Sequence, residues 1–258
     1  MKQLHLKSLL VYSFLIISIN LQAQDLRTYP VLWHQTSAEY RALCYQAFNT
    51  ARSYLETVLA TRQPGEKFAI VTDLDETILD NSLPEAKGIK EDKPYDPAEW
   101  KKWVDLSAAT AIPGAVDFLQ WAAGEDVTIF YISNRTKADI PATADNLKKL
   151  QIPFADEEHM LFLADGSTKE PRRLKVAENY KIVMLLGDNL NDFTQAFEKK
   201  SIDNRKAEVD LVRGEWGKKF IVIPNAIYGE WENAVYDYER NLTPEQKDAK
   251  RKEKLISY

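Results

Sequence analysis

One short stretch, an apolar run that ends in two aspartates, constrains this chain more than any other. Residues 68–72 are apolar and rich in β-branched side chains, which is typical of a buried strand in a parallel sheet. Asp73 and Asp75 follow at spacing i, i+2, so both carboxylates leave the strand end on the same side. Ligands of open α/β sheets bind in the crevice beyond such ends. Two carboxylates there repel each other unless a proton or a cation lies between them, and Mg²⁺ is the simplest cation because it prefers oxygen ligands.

An isolated Asp-x-Asp more often caps the helix that follows it, but a second strand end argues against that simpler interpretation. Residues 182–186 are apolar and are followed at once by Gly-Asp188-Asn-Leu-Asn-Asp192. Two unrelated helix caps that each directly follow a buried strand are less plausible than one shared metal site. We therefore expect the acids of the two strand ends to meet, with one aspartate attacking as a nucleophile and another moving protons.

Strand patterns alternate with helical patterns along the chain, which predicts an α/β fold with a parallel sheet. A capping box at Thr36 and Glu39 predicts a long amphipathic helix that ends near Pro64, with Cys44 buried on its apolar face. The predicted strands, in chain order, are residues 68–72, 127–132, 160–163, 182–186 and 220–223.

The first 23 residues are predicted to be a secretory signal peptide. Lys2 and Lys7 give a positive start, residues 9–19 are apolar, and Leu-Gln-Ala23 provides a cleavage site. An uncleaved membrane anchor is the alternative, although the apolar run is short for a bilayer span, which needs about 20 residues. We expect cleavage and a periplasmic or secreted mature chain.

Composition argues against several other classes of function. The chain has 258 residues, enough for one sizeable domain with an appended cap. Its net charge is −5 and its body has no basic block, which argues against a nucleic acid polymer as partner. Cys44 is the only cysteine, so an intrachain disulfide and a cysteine-ligated metal are excluded. With three histidines, two of them near the N-terminus, a three-histidine zinc site is not expected.

Other candidate residues each have a simpler interpretation that the sequence alone leaves open. Ser133 and Asn134 follow an apolar strand and could bind a phosphate oxygen or cap the next helix. Lys169 stands at a helix start, where a cation is unfavourable for the helix dipole; it could hold an anion or remain solvated. Trp100 and Trp103 share one helical face and could form a pocket wall or ordinary core.

Taken in order, these motifs resemble those of the haloacid dehalogenase (HAD) superfamily. The forms DLDET and GDNLNDF are similar to class C acid phosphatases, the lipoprotein e(P4) family, and the resemblance extends to WHQTSAEYRAL, the two tryptophans and PNAIYGEWE. The residues that follow the order of the four superfamily motifs are Asp73-Leu74-Asp75-Glu76-Thr77, Ser133, Lys169 and Gly187-Asp188-Asn189-x-x-Asp192.

The resemblance implies a Rossmann-like core with sheet order 5-4-1-2-3 and a small helical cap, within one domain over residues 24–258. Cap elements would come from about residues 30–64 and 80–112. It also implies a Mg²⁺-dependent phosphomonoesterase active at acidic pH, and it suggests a homodimer. This chain departs from the lipoprotein members because no cysteine follows the apolar run at residues 9–19. A stable membrane anchor is therefore not expected.

By the same resemblance, each candidate residue receives a role. Asp73 would attack phosphorus, and Asp75 would protonate the leaving alcohol and later activate water. Ser133 and Lys169 would bind the phosphoryl group. Mg²⁺ would be bound by Asp73, the Asp75 carbonyl and Asp188, and Asp192 would act through water or as support. The implied substrate-binding residues are Thr77, Asn134, Trp100, Trp103 and Tyr228.

The leading substrates implied are nucleoside 5′-monophosphates or nicotinamide mononucleotide, whose rings would stack on the aromatic side chains. Two alternatives stay open. One is a broad-specificity phosphatase for sugar phosphates or pyridoxal phosphate. The other is a non-catalytic binding or storage protein of the same fold; such a protein would be expected to lose its nucleophile, yet Asp73 is present.

Overall fold

The computed structural model describes residues 25–163 and 166–258. The predicted signal peptide, residues 1–23, lies outside these ranges. Within them, no helix is both long enough and apolar enough to cross a membrane. The helices and strands are α1 (Thr28–Thr36), α2 (Ala38–Leu59), β1 (Phe68–Thr72), β2 (Leu79–Asp80), α3 (Ser82–Lys90), α4 (Pro97–Asp105), β3 (Thr110–Ala111), α5 (Ala115–Gly124), β4 (Val127–Tyr131), α6 (Ile140–Lys149), α7 (Glu170–Ala177), β5 (Lys181–Gly187), α8 (Ile202–Leu211), β6 (Phe220–Val222), α9 (Glu230–Val235) and α10 (Pro244–Lys254).

The core is a parallel sheet in the order β4-β1-β5-β6. All five residues of β1 are buried because a strand lies on each side of it and helices cover both faces. Numbered by the five predicted strands, this order is 5-4-1-2. The α/β class and the expected parallel core are therefore confirmed.

The acids follow strands whose carboxyl ends lie side by side at the same end of the sheet. Thr72 ends β1 and is paired with Tyr131 of β4 and Leu186 of β5. The Asp73 N–H donates to the Leu186 carbonyl at 3.0 Å, and the Ile132 N–H donates to the Thr72 carbonyl at 2.9 Å. The hydrogen-bond ladder thus continues past β1 and fixes the Asp73 backbone relative to β5.

The predicted strand at residues 160–163 is not part of the ladder. Met160 makes an isolated bridge to Tyr131, and Leu163 makes another to Thr136. Thr136 lies in the loop after β4. The segment therefore follows that loop and does not extend the sheet, which corrects the outermost position of the expected strand order.

Helix α2 packs against the sheet. Cys44, Phe48 and Leu55 on its apolar face are buried in the same cluster as Phe68 and Ile70 of β1. Cys44 is fully buried, as its place on the apolar face predicts. The sequence placed this helix among the cap elements; its packing makes it part of the core.

The start of α2 differs from the prediction by one residue. Ser37 is the N-cap, and its hydroxyl oxygen accepts the Tyr40 N–H at 3.0 Å. Thr36 instead ends α1, where its hydroxyl donates to the Leu32 carbonyl at 2.6 Å. Two helices meet here with one residue between them, so only Ser37 has the extended backbone that an N-cap needs.

Helices α1, α3 and α4, with the antiparallel pair β2–β3, form a cover beside the sheet edge that carries the acids. α1 packs on α3, and the Arg27 guanidinium of the α1 start lies 3.2 Å from Glu85 of α3. His34 of α1 is buried, with Nε2 3.2 Å from Asp80 Oδ1. These contacts hold the N-terminal helix to the insertion between β1 and β4.

Candidate active site

Lys169 joins the acids that follow β1 and β5. Its ammonium group contacts Asp73 Oδ1 and lies 2.6 Å from Asp192 Oδ1. The side chain is 8% exposed, so the solvated-lysine interpretation is wrong. Burial alone would lower the pKa of Lys169, but the charges of Asp192 and Asp73 raise it to about 12. The group therefore remains a cation.

Three carboxylates form an acidic triad at this edge of the sheet. Oxygen atoms of Asp73, Asp188 and Asp192 all lie within 4.8 Å of one another. Burial, and then the charge of Asp192, raises the pKa of Asp188 to about 7. Burial likewise raises the pKa of Asp73 well above its ordinary value, although the charge of Lys169 opposes the rise. One lysine does not neutralise three buried carboxylates, so this set of oxygen ligands fits a hard divalent cation.

Each acid of the β5 end is held by neighbouring groups. Asp188 accepts hydrogen bonds from the Thr77 hydroxyl at 3.1 Å and from Asn225 Nδ2 at 2.8 Å. Asp192 accepts the Asn189 N–H at 3.0 Å. Asp192 also requires the glycine at position 187, because a Cβ there would lie 2.4 Å from Asp192 Oδ2.

Asp75 lies beside a second set of donors. Its Oδ1 accepts from Arg135 Nη2 at 2.7 Å and from Asn81 Nδ2 at 2.9 Å. Its Oδ2 lies 3.3 Å from the Ser133 hydroxyl. Asp75 is therefore paired with a cation of its own, Arg135.

Arg172 fixes the loop that carries Ser133 and Asn134. Its Nη1 donates to the Ser133 carbonyl at 2.6 Å, and its Nη2 donates to Asn134 Oδ1 at 2.7 Å. The same Nη2 reaches the Thr168 carbonyl at 3.2 Å, next to Lys169. One arginine thus connects the loop after β4 to the loop that presents Lys169.

Comparison with known proteins identifies the family to which the chain belongs. The chain matches the family model of the HAD superfamily, subfamily IIIB (acid phosphatase), over residues 14–231. The class C acid phosphatase from Bacillus anthracis is 41% identical, with a TM-score of 0.86 over 90% of this chain and 97% of that one. Its structure with tungstate bound is 40% identical, with a TM-score of 0.87 over 92% of this chain and 99% of that one. The chain belongs to the class C acid phosphatases.

Members of this family are phosphomonoester hydrolases, so the non-catalytic alternative is not supported. In this acid phosphatase the four motifs meet as the sequence predicts. Asp73 lies within the acidic triad, Asp75 contacts Ser133, and Lys169 lies against Asp73 and Asp192.

The predicted aromatic contacts divide into two groups. Trp100 and Tyr228 line the same cleft as Asp73 and Asp188, together with Tyr95 and Trp231. Trp103 is not among the residues that line this cleft, and its indole N–H donates to Asn81 Oδ1 at 2.8 Å. The phosphatase therefore uses Trp103 in packing around Asn81, where the sequence assigned it to substrate.

The expectations for Thr77 and Asn134 differ in outcome. Thr77, expected at the substrate, is fully buried and donates to Asp188. Asn134 lines the cleft, as expected of a substrate contact, and its side-chain oxygen accepts from Arg172. Thr77 therefore supports the acidic triad, and a substrate contact by Asn134 stays a prediction.

Several residues of the site were not singled out from the sequence. Asn225 and Arg172 each contact a predicted site residue, as do Asn81 and Arg135. Arg135 lies two residues after Ser133 within the polar stretch SNRT, and this position was the available signal. The others come from segments whose approach to the site depends on the tertiary fold.

Proposed function

We propose that the chain is an exported, Mg²⁺-dependent phosphomonoesterase that hydrolyses 5′-nucleotides through an aspartyl-phosphate intermediate. The observation that carries this proposal is the cluster around Asp73, where a buried lysine and two further carboxylates face the residue after β1. Phosphoryl transfer depends mainly on positioning and charge neutralisation. The Asp73 cluster supplies charged groups that can position the phosphoryl group and neutralise its charge.

The residues that would hold Mg²⁺ are Asp73 and Asp188, with the backbone carbonyl of Asp75, and Asp192 would support them. The donors are all oxygens, which suits this ion. When bound, the ion offsets the negative charge that gathers on the phosphoryl oxygens. The pKa of about 7 for Asp188 in the metal-free protein is consistent with a carboxylate that needs a cation partner.

The chain's own residues would carry out two displacements. Asp73 attacks phosphorus, the bond from phosphorus to the leaving oxygen breaks, and Asp75 gives its proton to that oxygen. Asp75, now ionised, then takes a proton from water while the water oxygen attacks the phosphorus of the aspartyl-phosphate. Phosphate leaves, the Asp73 carboxylate is restored, and Asp75 is again protonated.

Ser133 and Lys169 would bind the transferring phosphoryl group. The Lys169 ammonium group already touches the attacking carboxylate, so an anion bound at Asp73 lies within its reach. The relative from Bacillus anthracis has been described with tungstate bound. Tungstate is a tetrahedral oxyanion, and it supports an oxyanion site of this kind in the present chain.

The preference for nucleotides rests on the aromatic side chains of the cleft. Trp100 and Tyr228 line it beside the acidic triad, and aromatic rings bind bases at about 1–3 kcal/mol per base. A sugar phosphate has no ring to stack. The broad-specificity alternative therefore predicts equal turnover of ribose 5-phosphate and adenosine 5′-monophosphate.

Export rests on the sequence of residues 1–23. Expression with the native leader is expected to yield a chain that starts at Gln24, in the periplasm or the medium. N-terminal sequencing of the fractionated protein tests this. A full-length chain in the membrane fraction would favour the uncleaved anchor.

The enzymatic proposal is tested by phosphate release from adenosine 5′-monophosphate, p-nitrophenyl phosphate and ribose 5-phosphate, each with Mg²⁺ and with EDTA. We expect turnover that requires Mg²⁺ and a higher kcat/KM for the nucleotide than for ribose 5-phosphate. Asp73→Asn is expected to abolish turnover. An unchanged rate in that variant would exclude the aspartyl-phosphate mechanism.

A further inference from the structure

We propose that Arg135 is a positioning residue that orients the Asp75 carboxylate. It also connects Asp75 to Trp100, one of the aromatic side chains that line the cleft. The inference rests on the proposed function, in which Asp75 exchanges a proton with the leaving group. It assigns a role to an arginine that contacts neither the acidic triad nor the phosphoryl-binding lysine in the described contacts.

The Arg135 guanidinium donates several hydrogen bonds to the Asp75 carboxylate. Arg135 Nη2 and Nε lie 2.7 and 3.0 Å from Asp75 Oδ1, and Nε lies 3.3 Å from Oδ2. The Arg135 side chain is 2% exposed and that of Asp75 is 19% exposed. A planar guanidinium with several donors on one carboxylate fixes its orientation in a way that a single ammonium does not.

Arg135 is itself fixed by a hydrogen bond from the guanidinium nitrogen that does not contact Asp75. Its Nη1 donates to the Thr143 hydroxyl at 3.0 Å, and that hydroxyl donates to the Asp139 carbonyl at 2.7 Å. Thr143 belongs to α6 and is fully buried. Because the far side of the guanidinium is bonded to a helix, rotation of Asp75 would break its hydrogen bonds to an arginine that is itself fixed.

The contacts on the two oxygens of Asp75 are unequal. Oδ1 takes the short hydrogen bonds, from Arg135 and from Asn81 Nδ2 at 2.9 Å. Oδ2 has only the two 3.3 Å contacts, from Ser133 Oγ and Arg135 Nε. Oδ2, on the side of the phosphoryl-binding serine, is therefore the less tightly held oxygen of Asp75.

The same guanidinium lies near the aromatic wall of the cleft. Its central carbon is 5.6 Å from the centre of the Trp100 ring, a cation–π distance. Trp100 lines the cleft with Asp73 and Asp75. Arg135 therefore contacts both the proposed proton donor and the ring on which a leaving group would stack.

The test uses Arg135→Gln and kcat/KM, which reports the steps up to phosphoryl transfer to Asp73. p-Nitrophenolate leaves without a proton, whereas the 5′-hydroxyl of ribose needs one. We expect kcat/KM to fall about 100-fold for ribose 5-phosphate and adenosine 5′-monophosphate, and less than about 10-fold for p-nitrophenyl phosphate. The KM for the nucleotide is expected to rise more than that for ribose 5-phosphate, because Trp100 loses its support.

Arg205→Gln is the matched control. Arg205 is also buried, but it donates to the Phe197 carbonyl and to Asn191, away from Asp75. Any loss in this variant should be equal for the three substrates. Arg135→Lys keeps the charge with a single donor group and should recover at least part of the loss, with the same dependence on leaving group; it also serves if the glutamine variant does not fold.

An equal loss for all three substrates in both Arg135 variants would overturn the inference and leave only a structural role. Unchanged kcat/KM in both would overturn it as well. Failure of the proposed function looks different, because wild-type protein would then release no phosphate, or Asp73→Asn would remain fully active.

Discussion

The Lys169 ammonium group and Asp192 Oδ1 lie 2.6 Å apart in a buried ion pair beside Asp73. The lysine comes from the segment before α7 and the aspartate from the turn after β5. Their contact joins these two segments beside Asp73. Breaking a buried pair by removing one partner is costly because the other charge is left without compensation.

Lys169→Gln is expected to lower kcat by about 10²–10³-fold, because a cation aimed at the phosphoryl group is lost. The melting temperature in EDTA should also fall. Steady-state kinetics and thermal denaturation check both effects. Lys175→Gln is the matched control, since Lys175 lies in α7 but is exposed; similar losses in the two variants would contradict a specific role for Lys169.

Gly187→Ala tests the close approach of Asp192 to the end of β5. The added Cβ would meet the Asp192 side chain at 2.4 Å, so we expect a loss of about 1–3 kcal/mol in the free energy of unfolding and weaker Mg²⁺ binding. Urea denaturation and calorimetric titration measure these. Gly214→Ala, where nothing lies within 4 Å of the new Cβ, should change neither; a tolerated Gly187→Ala would show that Asp192 moves easily.

The pKa of Asp188 predicts how stability depends on pH. It is about 7 in the metal-free fold against an ordinary 3.8, so the folded state holds this proton more tightly than the unfolded state. The contribution of Asp188 to stability therefore falls as pH rises from 3.8 to about 7. Mg²⁺ at about 100 times its Kd should add about 2.7 kcal/mol, with its largest effect above the pKa of Asp188.

Thermal denaturation across this pH range, with EDTA and with Mg²⁺, measures both terms. Asp188→Asn cannot titrate at this position. Its melting temperature in EDTA should decline less with rising pH than that of the wild type, and Mg²⁺ should stabilise it little. Parallel pH profiles for the two proteins would exclude Asp188 as the source.

The two tryptophans of α4 are expected to have separate effects. Trp100→Leu should raise the KM for adenosine 5′-monophosphate about 10-fold through lost stacking, with little effect on ribose 5-phosphate. Trp103→Phe removes the N–H that Asn81 accepts and part of the ring that packs on the core, and should lower kcat/KM for both substrates by about 5-fold. Steady-state kinetics on the two substrates separates them; a nucleotide-specific defect in Trp103→Phe would return this residue to the substrate pocket.

The acids of the candidate site could be predicted from the sequence because they directly follow apolar strands. Parallel strands end at one edge, so the positions of Asp73 and Asp188 follow from the fold class alone. Lys169 was more difficult, because a lysine at a helix start has an ordinary interpretation. Its burial between two carboxylates depends on tertiary contacts with segments distant in the sequence.

Contacts between distant segments were beyond the sequence. Arg135 and Asp75 are separated by 60 positions, and nothing in their local patterns indicates that they meet. The pair Thr36 and Ser37 shows a different difficulty, since both are good N-caps and the choice depends on where α1 ends. The segment at residues 160–163 has a strand-like composition, but it makes only isolated bridges, one to the last residue of β4 and one to Thr136 in the loop beyond it.

The hydrogen bond from the Asp73 N–H to the Leu186 carbonyl has an evolutionary consequence. It makes the separation of the ends of β1 and β5 a property of the sheet ladder, independent of the helices above it. Insertions and substitutions in α3 and α4 can then accumulate while Asp73 and Asp188 keep their spacing. Descendants of one ancestral hydrolase can therefore diverge in the molecules they accept without reinventing the chemistry.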